Sequence, residues 1–296
     1  MSDIKVSIIT PNYNYGHLLG RTLSSVADQD YSNIEHFVVD GGSNDDSVDV
    51  IKAHAAKGHL ANWVSESDKG QTDAINKGFA MTTGDIFAWL NADDYYAHSG
   101  VISQVVDLYE KGNRFISGEF RAIDADGNEF PEGAAFGKCN PIEFKDALRF
   151  WANHCPPQPA TFVDRILAAN VFPLDISVEC YMDYQLFLGI LAENPKTAWI
   201  PEVWVDFVYH GENKSMGNFS DAYNWEAEAR RVFLGAAEKL PASDRAVYQK
   251  EFEKVALLQN AGSRPALESI QTAFRQSPGT LANPRFWKIL LGQKRK

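Results

Sequence analysis

Two adjacent carboxylates, Asp93 and Asp94, close the stretch Trp89-Leu90-Asn91-Ala92-Asp93-Asp94 and are followed by Tyr95-Tyr96. Charge at the end of an apolar run needs a partner, because half-buried unpaired charge is costly. A divalent cation carrying a phosphate is one such partner, since hard cations take carboxylate oxygens. A helix cap or an Asx-turn is the competing use of Asn and Asp here. A third carboxylate, Asp40, precedes Gly41-Gly42-Ser43, where the glycines allow a tight turn and close approach of a ligand. It could accept an N–H from a nucleobase or cap a helix. The pattern is not G-x-G-x-x-G, so a dinucleotide fingerprint is not supported. Thr10-Pro11-Asn12-Tyr13-Asn14 offers polar groups to a base, with Pro11 expected to end strand pairing. Asp68, ahead of Gly70, leads into a helical segment whose Asn76 and Lys77 either approach a phosphate or ribose or form a solvated face.

These groups must be held by regular elements, and the pattern supplies them. Strands are expected over residues 5–10, 35–40, 60–65, 85–90 and 115–120 from short β-branched or apolar runs. Helical spacing connects them: Leu18 to Val26, Val48 to Lys52 after the cap-rich Ser43-Asn44-Asp45-Asp46, Asp73 to Met81, and Val101 to Tyr109. Strands alternating with helices imply right-handed βαβ units and a mostly parallel sheet, with ligands at the carboxyl ends of its strands. The middle of the chain is less regular. It carries the turn Asp126-Gly127-Asn128, the segment Pro156-Pro157-Gln158-Pro159 and a helix near 184–192. Helical spacing returns at 222–240, 243–259 and 265–275.

Bulk properties exclude several classes. The 296 residues suffice for one large or two small domains, and a 45% hydrophobic fraction supports a full core. A formal charge of −11 argues against nucleic acid as a partner. No apolar run approaches the roughly 20 residues of a membrane span, and the N-terminus runs into a strand pattern rather than a signal peptide. Cys139, Cys155 and Cys180 have neither zinc nor disulfide spacing, which suits a reducing cytoplasm.

Taken together, Val6 to Asn14 (VSIITPNYN), Val38 to Asp45 (VVDGGSND), Ser67 to Gly78 (SDKGQTDAINKG) and Thr83 to Asp94 (TGDIFAWLNADD) resemble the family-2 glycosyltransferases in order and approximate spacing. The resemblance covers about the first hundred residues. It implies a GT-A fold: a Rossmann-like, mostly parallel sheet flanked by helices, here with a helical C-terminal extension. It implies a nucleotide-sugar half at 1–123, an acceptor half at 124–220 and the extension at 221–296. The implied reaction is inverting transfer of a sugar from a nucleoside diphosphate sugar, UDP-linked by family habit, in polysaccharide, lipopolysaccharide or other glycan assembly. By that resemblance Asp40 holds the donor base within a cradle of Thr10, Pro11, Asn12 and Tyr13. Asp68 is a second donor-pocket aspartate, and Asn76 lies on its helix.

Asn91-Ala92-Asp93 falls on the family's Asp-x-Asp motif, with Asp93 as ligand to Mn2+ or Mg2+ and Asp94 assisting. Asn91 departs from the pattern and lowers the charge offered to the cation. Val178 to Phe187 resembles the acceptor-side motif, which makes Asp183 the general base, with Glu179 the nearest substitute. His210 to Ser215 resembles a stretch that closes over the diphosphate, His210 included. Trp151 and His154 either line the acceptor pocket or belong to the core. The acceptor would be a glycan or a lipid-linked sugar. The basic, aromatic tail from Arg285 to Lys296 suits peripheral contact with the inner face of a membrane, or the solvated end of a packed helix. The rivals are a sugar-1-phosphate nucleotidyltransferase and a nucleotide-sugar-binding protein without catalysis.

Overall fold

The computed structural model describes residues 2–130, 142–149, 156–211, 213 and 225–260. The expected helix at 265–275 and the tail from Arg285 lie outside them, as do Trp151, His154, Cys139 and Cys155. The opening units match the sequence pattern closely. They are β1 (Val6–Asn12), α1 (Gly16–Ala27), β2 (Ile34–Asp40), α2 (Ser47–Ala56), β3 (Asn62–Ser65), α3 (Gln71–Met81) and β4 (Ile86–Trp89). Strands β3, β2, β1 and β4 lie side by side in that order, all parallel. Pro11 does not end pairing as expected. It sits inside β1 opposite Val39, so the strand delivers Asn12 directly opposite Asp40.

Burial on both faces explains why these strands are nearly continuous apolar runs. Ile8, Ile86 and Ala88 pack into one cluster with Val101, Val105 and Trp204. Their alternates Ile9, Phe87 and Trp89 pack into another with Ile75 and Phe79 of α3. One side chain in two goes each way, as the pleat dictates.

Beyond β4 the sheet is no longer all parallel. β6 (Phe115–Asp124), β7 (Thr161–Asp164) and β8 (Thr197–Tyr209) continue it in the order β7-β6-β8, ending on the two-residue β5 (Tyr95–Tyr96). β6 and β8 pair in parallel, β7 is antiparallel to both β4 and β6, and β5 is antiparallel to β8. The result is one mixed eight-stranded sheet. β7 and β8 were not legible in the sequence. β7 is only four residues long, and β8 is interrupted by exposed Pro201 and Glu202. Proline cannot donate to a ladder, and the register of β6 against β8 shifts on both sides of Glu119. Gly118 makes the crossing workable: a Cβ there would lie 2.3 Å from the Trp204 ring.

Helices cover the sheet. α4 (Val101–Glu110) packs against β6, and α5 (Phe144–Ala147), α6 (Arg165–Ala169) and α8 (Trp225–Ala237) pack on α7 (Met182–Leu191). α9 (Ala242–Asn260) closes on α8, with Phe233 and Phe252 stacked at 4.8 Å between centroids.

One buried charge fastens the first units. Glu35 accepts from Ser7 Oγ, from the Thr83 N–H and hydroxyl and from the Gly84 N–H, and Lys5 Nζ pairs with it at 2.7 Å. Burial alone would raise its pKa. Lys5 and these donors outweigh burial and hold it down at about 2. A depressed carboxylate stabilises the fold above its unfolded pKa, and that contribution is lost as pH falls toward the folded value. Glu35→Gln is therefore expected to lower stability by about 2–4 kcal/mol at neutral pH. Its unfolding free energy should also change less than the wild type's between about pH 4.3 and pH 2. Urea denaturation across that range checks both.

Candidate active site

The carboxyl edge of the parallel strands borders a cavity of about 640 Å³, a size suited to a nucleotide-bearing ligand. Pro11, Asn12, Tyr13, Gly41 and Asp68 form its donor-side wall, and Tyr13 is 58% exposed at the rim. Two expected base contacts sit behind this wall. Thr10 is fully buried with its hydroxyl 2.9 Å from His36 Nε2. Asp40 is also fully buried, and its carboxylate accepts from Asn12 Nδ2, the Ser43 and Ser65 hydroxyls and the N–H groups of Gly42 and Ser43. Burial would raise its pKa, but those donors hold it below the usual carboxylate range. With both oxygens engaged, Asp40 has no free lone pair for a base. It orients Asn12, whose Oδ1 is buried without a hydrogen-bond partner. Asn76 is not on the cavity wall. Its amide is spent in two directions on the backbone of Leu174, at 2.8 Å each, tying α3 to the segment before α7.

Asn91, Ala92 and Asp93 do line the cavity. The Ala92 carbonyl is held by Thr22 Oγ1 at 2.8 Å. Asn91 belongs to a chain of amides: Gln71 Nε2 donates to its Oδ1 at 3.0 Å, and its Nδ2 donates to Gln158 Oε1 at 3.1 Å and to Asp94 Oδ2 at 3.3 Å. Gln158 in turn donates to the Trp89 carbonyl at 2.8 Å. Gln71 and Gln158 lay within quoted motifs without being singled out, because an amide carries no charge signature.

Asp94 corrects the expectation of a second metal ligand. It is fully buried and off the cavity wall. Burial, with the charge of Asp93 adding, pushes its pKa well above the ordinary range. A carboxyl that faces inward, where burial disfavours its charged form, is a poor cation ligand.

The pairing of β5 with β8 brings a distant segment to Asp93. His210 Nε2 lies 3.0 Å from Asp93 Oδ2, and Asn213 Nδ2 donates to the same oxygen at 3.2 Å. Asn213 also accepts from the His210 N–H and donates to the Val208 carbonyl, so it closes the turn that presents the histidine. Among the described residues no group of three or more His, Cys, Asp or Glu side chains is disposed to hold a metal ion alone. That agrees with a cation that arrives with its phosphates, because Mg2+-type sites use one or two carboxylates and complete their shell from substrate. Asp93 with His210 fits that role.

The facing wall comes from the acceptor side. Glu179, Cys180, Met182 and Asp183 line it. Asp183 stands in the first turn of α7 with Oδ1 accepting from the Tyr184 N–H at 2.8 Å. Burial, with the charge of Glu228 adding, pushes its pKa up to about 7.

Comparison with known proteins gives this arrangement a context. Residues 7–167 match the family model described as glycosyl transferase family 2. The chain belongs to that family. A glycosyltransferase of Mycobacterium tuberculosis is 40% identical over 192 residues, 64% of this chain and 70% of that protein. One from Nostoc sp. is 27% identical over 242 residues, 77% and 71% respectively.

Among solved structures, S. aureus TarS 1-349 in complex with UDP-GlcNAc superposes with a TM-score of 0.61 at 12% identity, covering 99% of this chain and 92% of that one. The mannosyltransferase PcManGT from Pyrobaculum calidifontis, in complex with GDP-Man and Mn2+, superposes at 0.59 with 18% identity, covering 99% and 85%. At such identity the likeness establishes the GT-A fold. In this glycosyltransferase, Gly41 is what lets Asp68 reach the donor wall, since a Cβ there would lie 2.8 Å from Asp68 Oδ2. Gly41→Ala is expected to fold normally, because only a side-chain end must move. A ligand that meets Asp68 on this wall should bind the variant about five- to tenfold more weakly, the worth of roughly one hydrogen bond. Titration calorimetry with UDP checks this.

Proposed function

We propose that this glycosyltransferase moves a sugar from a nucleoside diphosphate sugar, with UDP favoured, to an acceptor hydroxyl, with inversion and with Mn2+ or Mg2+ at the diphosphate. The observation that carries the reading is that Asp93 and Asp183 face one cavity from different halves of the chain. Tyr13 offers its ring to the base. Asn12, fixed in orientation because Asp40 holds its Nδ2, lies beside Tyr13 on the same wall. Asp68 and the Asn91 amide chain border the ribose and diphosphate.

Asp93 and His210 would hold the cation, which when bound supplies positive charge to the leaving diphosphate. Asp183 takes the acceptor's proton as its oxygen attacks the anomeric carbon and the bond to the diphosphate breaks. A base with a pKa near the working pH suits that task. Glu179, on the same wall, is the nearest substitute. A glycan or lipid-linked sugar is the acceptor class this reading favours. Among the described residues no helix is long and apolar enough to cross a membrane. Membrane contact by the tail therefore stays a separate proposal, checked by liposome flotation with and without Arg285 to Lys296.

The reading is tested with Mn2+, a panel of nucleotide sugars including UDP-GlcNAc and GDP-Man, and candidate acceptors. Release of nucleoside diphosphate with sugar transfer supports it. Pyrophosphate chemistry would indicate a nucleotidyltransferase, and binding without release a non-catalytic protein. Asp183→Asn should lower turnover by about 10²–10⁴-fold with donor affinity unchanged. The wild-type rate should fall as pH drops below about 7, because the base must be ionised. Asp93→Ala should abolish the Mn2+-dependent part of donor binding in calorimetry, and unchanged Mn2+ dependence would remove Asp93 as the ligand.

A further inference from the structure

The amino end of α7 has no capping side chain from Tyr181 at its own cap position. The three N–H groups leading into it, up to Tyr181, are met by a carboxylate from far along the chain. Glu228 of α8 accepts from the Glu179 N–H at 2.9 Å through Oε2, and from the Cys180 and Tyr181 N–H groups at 2.7 and 2.9 Å through Oε1. Glu228 is only 6% exposed, and among the described residues no Lys or Arg pairs with it. Three convergent N–H groups at the positive end of a helix are what stabilise such an anion. A nearby Ser or Asp would have capped the helix more simply. What the distant carboxylate adds is a tie between α8 and the very segment that lines the cavity.

The tie is reinforced beside it. Arg231 donates to the Ser177 carbonyl and hydroxyl at 2.7 and 2.8 Å, and Arg230 pairs with Glu253 of α9. We propose that Glu228 is a positioning residue for the acceptor side of this site, through which the C-terminal helices hold the 179–181 segment and the Asp183 carboxyl against the donor wall. This rests on Asp183 being the base.

The electrostatics agree with the geometry. Glu228 is a like charge acting on Asp183, secondary to burial in raising it. The other ionisable groups of the cavity are Glu179 and Cys180 on the same segment and Asp68 and Asp93 across it. The cations nearby are committed elsewhere. Arg231 is held by Ser177 and Asp175, Lys145 of α5 pairs with Asp244, and Arg165 of α6 bonds Thr82. Asp146 of α5 faces Arg149.

The test compares wild type, Glu228→Gln and Glu228→Ala, with folding checked by circular dichroism. Glu228→Gln keeps the shape and one accepting oxygen, so it preserves a foldable variant if Glu228→Ala does not fold. Carboxyl 13C NMR, with the Asp183 signal assigned through Asp183→Asn, reads the titration without any substrate. In Glu228→Gln the Asp183 midpoint is expected to drop by about one pH unit. The acidic limb of the rate profile should move with it, and turnover should fall about tenfold while UDP affinity stays within twofold. Loss of the Glu228 charge alone would shift midpoint and limb, so a merely structural cap is recognised by a lower melting temperature with turnover on the alkaline plateau unchanged, which overturns the proposal. If Asp183→Asn is inactive while Glu228→Gln is indifferent, only the positioning role is lost. If Asp183→Asn turns over normally, the base assignment falls and the positioning role with it.

Discussion

The short antiparallel pairing of Tyr95 and Tyr96 against Asp206 and Val205 is the constraint on which the site depends. It fixes the exit of β8 beside the residues that follow β4. Asp93 therefore meets His210 and Asn213 although more than a hundred residues separate them. The pairing is two residues long and would be weak alone. Its context makes it rigid: Tyr96 packs against Phe162 at 6.0 Å between centroids, the Ala97 N–H donates to the Trp204 carbonyl, and Arg121 clamps Asp206 in two directions. An aspartate that looks into a binding cavity needs this kind of support, because its oxygen must already face a ligand before the ligand arrives.

Carboxylates in this molecule divide by how completely protein donors satisfy them. Glu35, Asp40 and Glu228 are buried and each accepts three or more hydrogen bonds, so they act as fasteners for the sheet start, the base wall and the acceptor loop. Asp93 and Asp183 accept few bonds and look into the cavity. Asp94 sits between the classes, buried and with Oδ1 unmatched, and burial beside Asp93 disfavours its charged form. Desolvation charges a carboxylate heavily unless donors converge on it, so the under-satisfied ones mark where a cation, a base or an acceptor belongs.

The amides show a related economy. Asn91 departs from a carboxylate at the first motif position, and its side chain is absorbed into the run Gln71, Asn91, Gln158 and Trp89 carbonyl. A second carboxylate there would face Gln158 Oε1 without a donor. The neutral side chain is thus consistent with the wall built around it, and it leaves Asp93 as the exposed charge of that motif.

Much was legible from residues 2 to 124 because β1, β2 and β4 are buried on both faces and the helices carry apolar stripes, patterns that are local. The four parallel strands and their helices follow from such runs, a helix near 184–192 was also expected and is found at Met182–Leu191, and Asn91-Ala92-Asp93 was singled out by the family resemblance. The surroundings of Asp40, Asn76 and Asp94 were hidden from the sequence for one reason. A one-letter code shows a carboxylate or amide but not how many donors reach it, and that number is set by Ser43, Ser65, Leu174 and the packing around Val208. β7 and β8 were hidden because a four-residue strand and one broken by Pro201 have no periodicity to read. Glu228 gave no signal at all, since an acidic residue on a polar helix reads as solvated surface. The sequence by itself determined the opening α/β fold, the family and, among the carboxylates that face the cavity, Asp93 and Asp183. Only the tertiary structure decided which polar groups were already spent on the protein, because hydrogen bonds between segments as far apart as 120 residues leave no mark on local pattern.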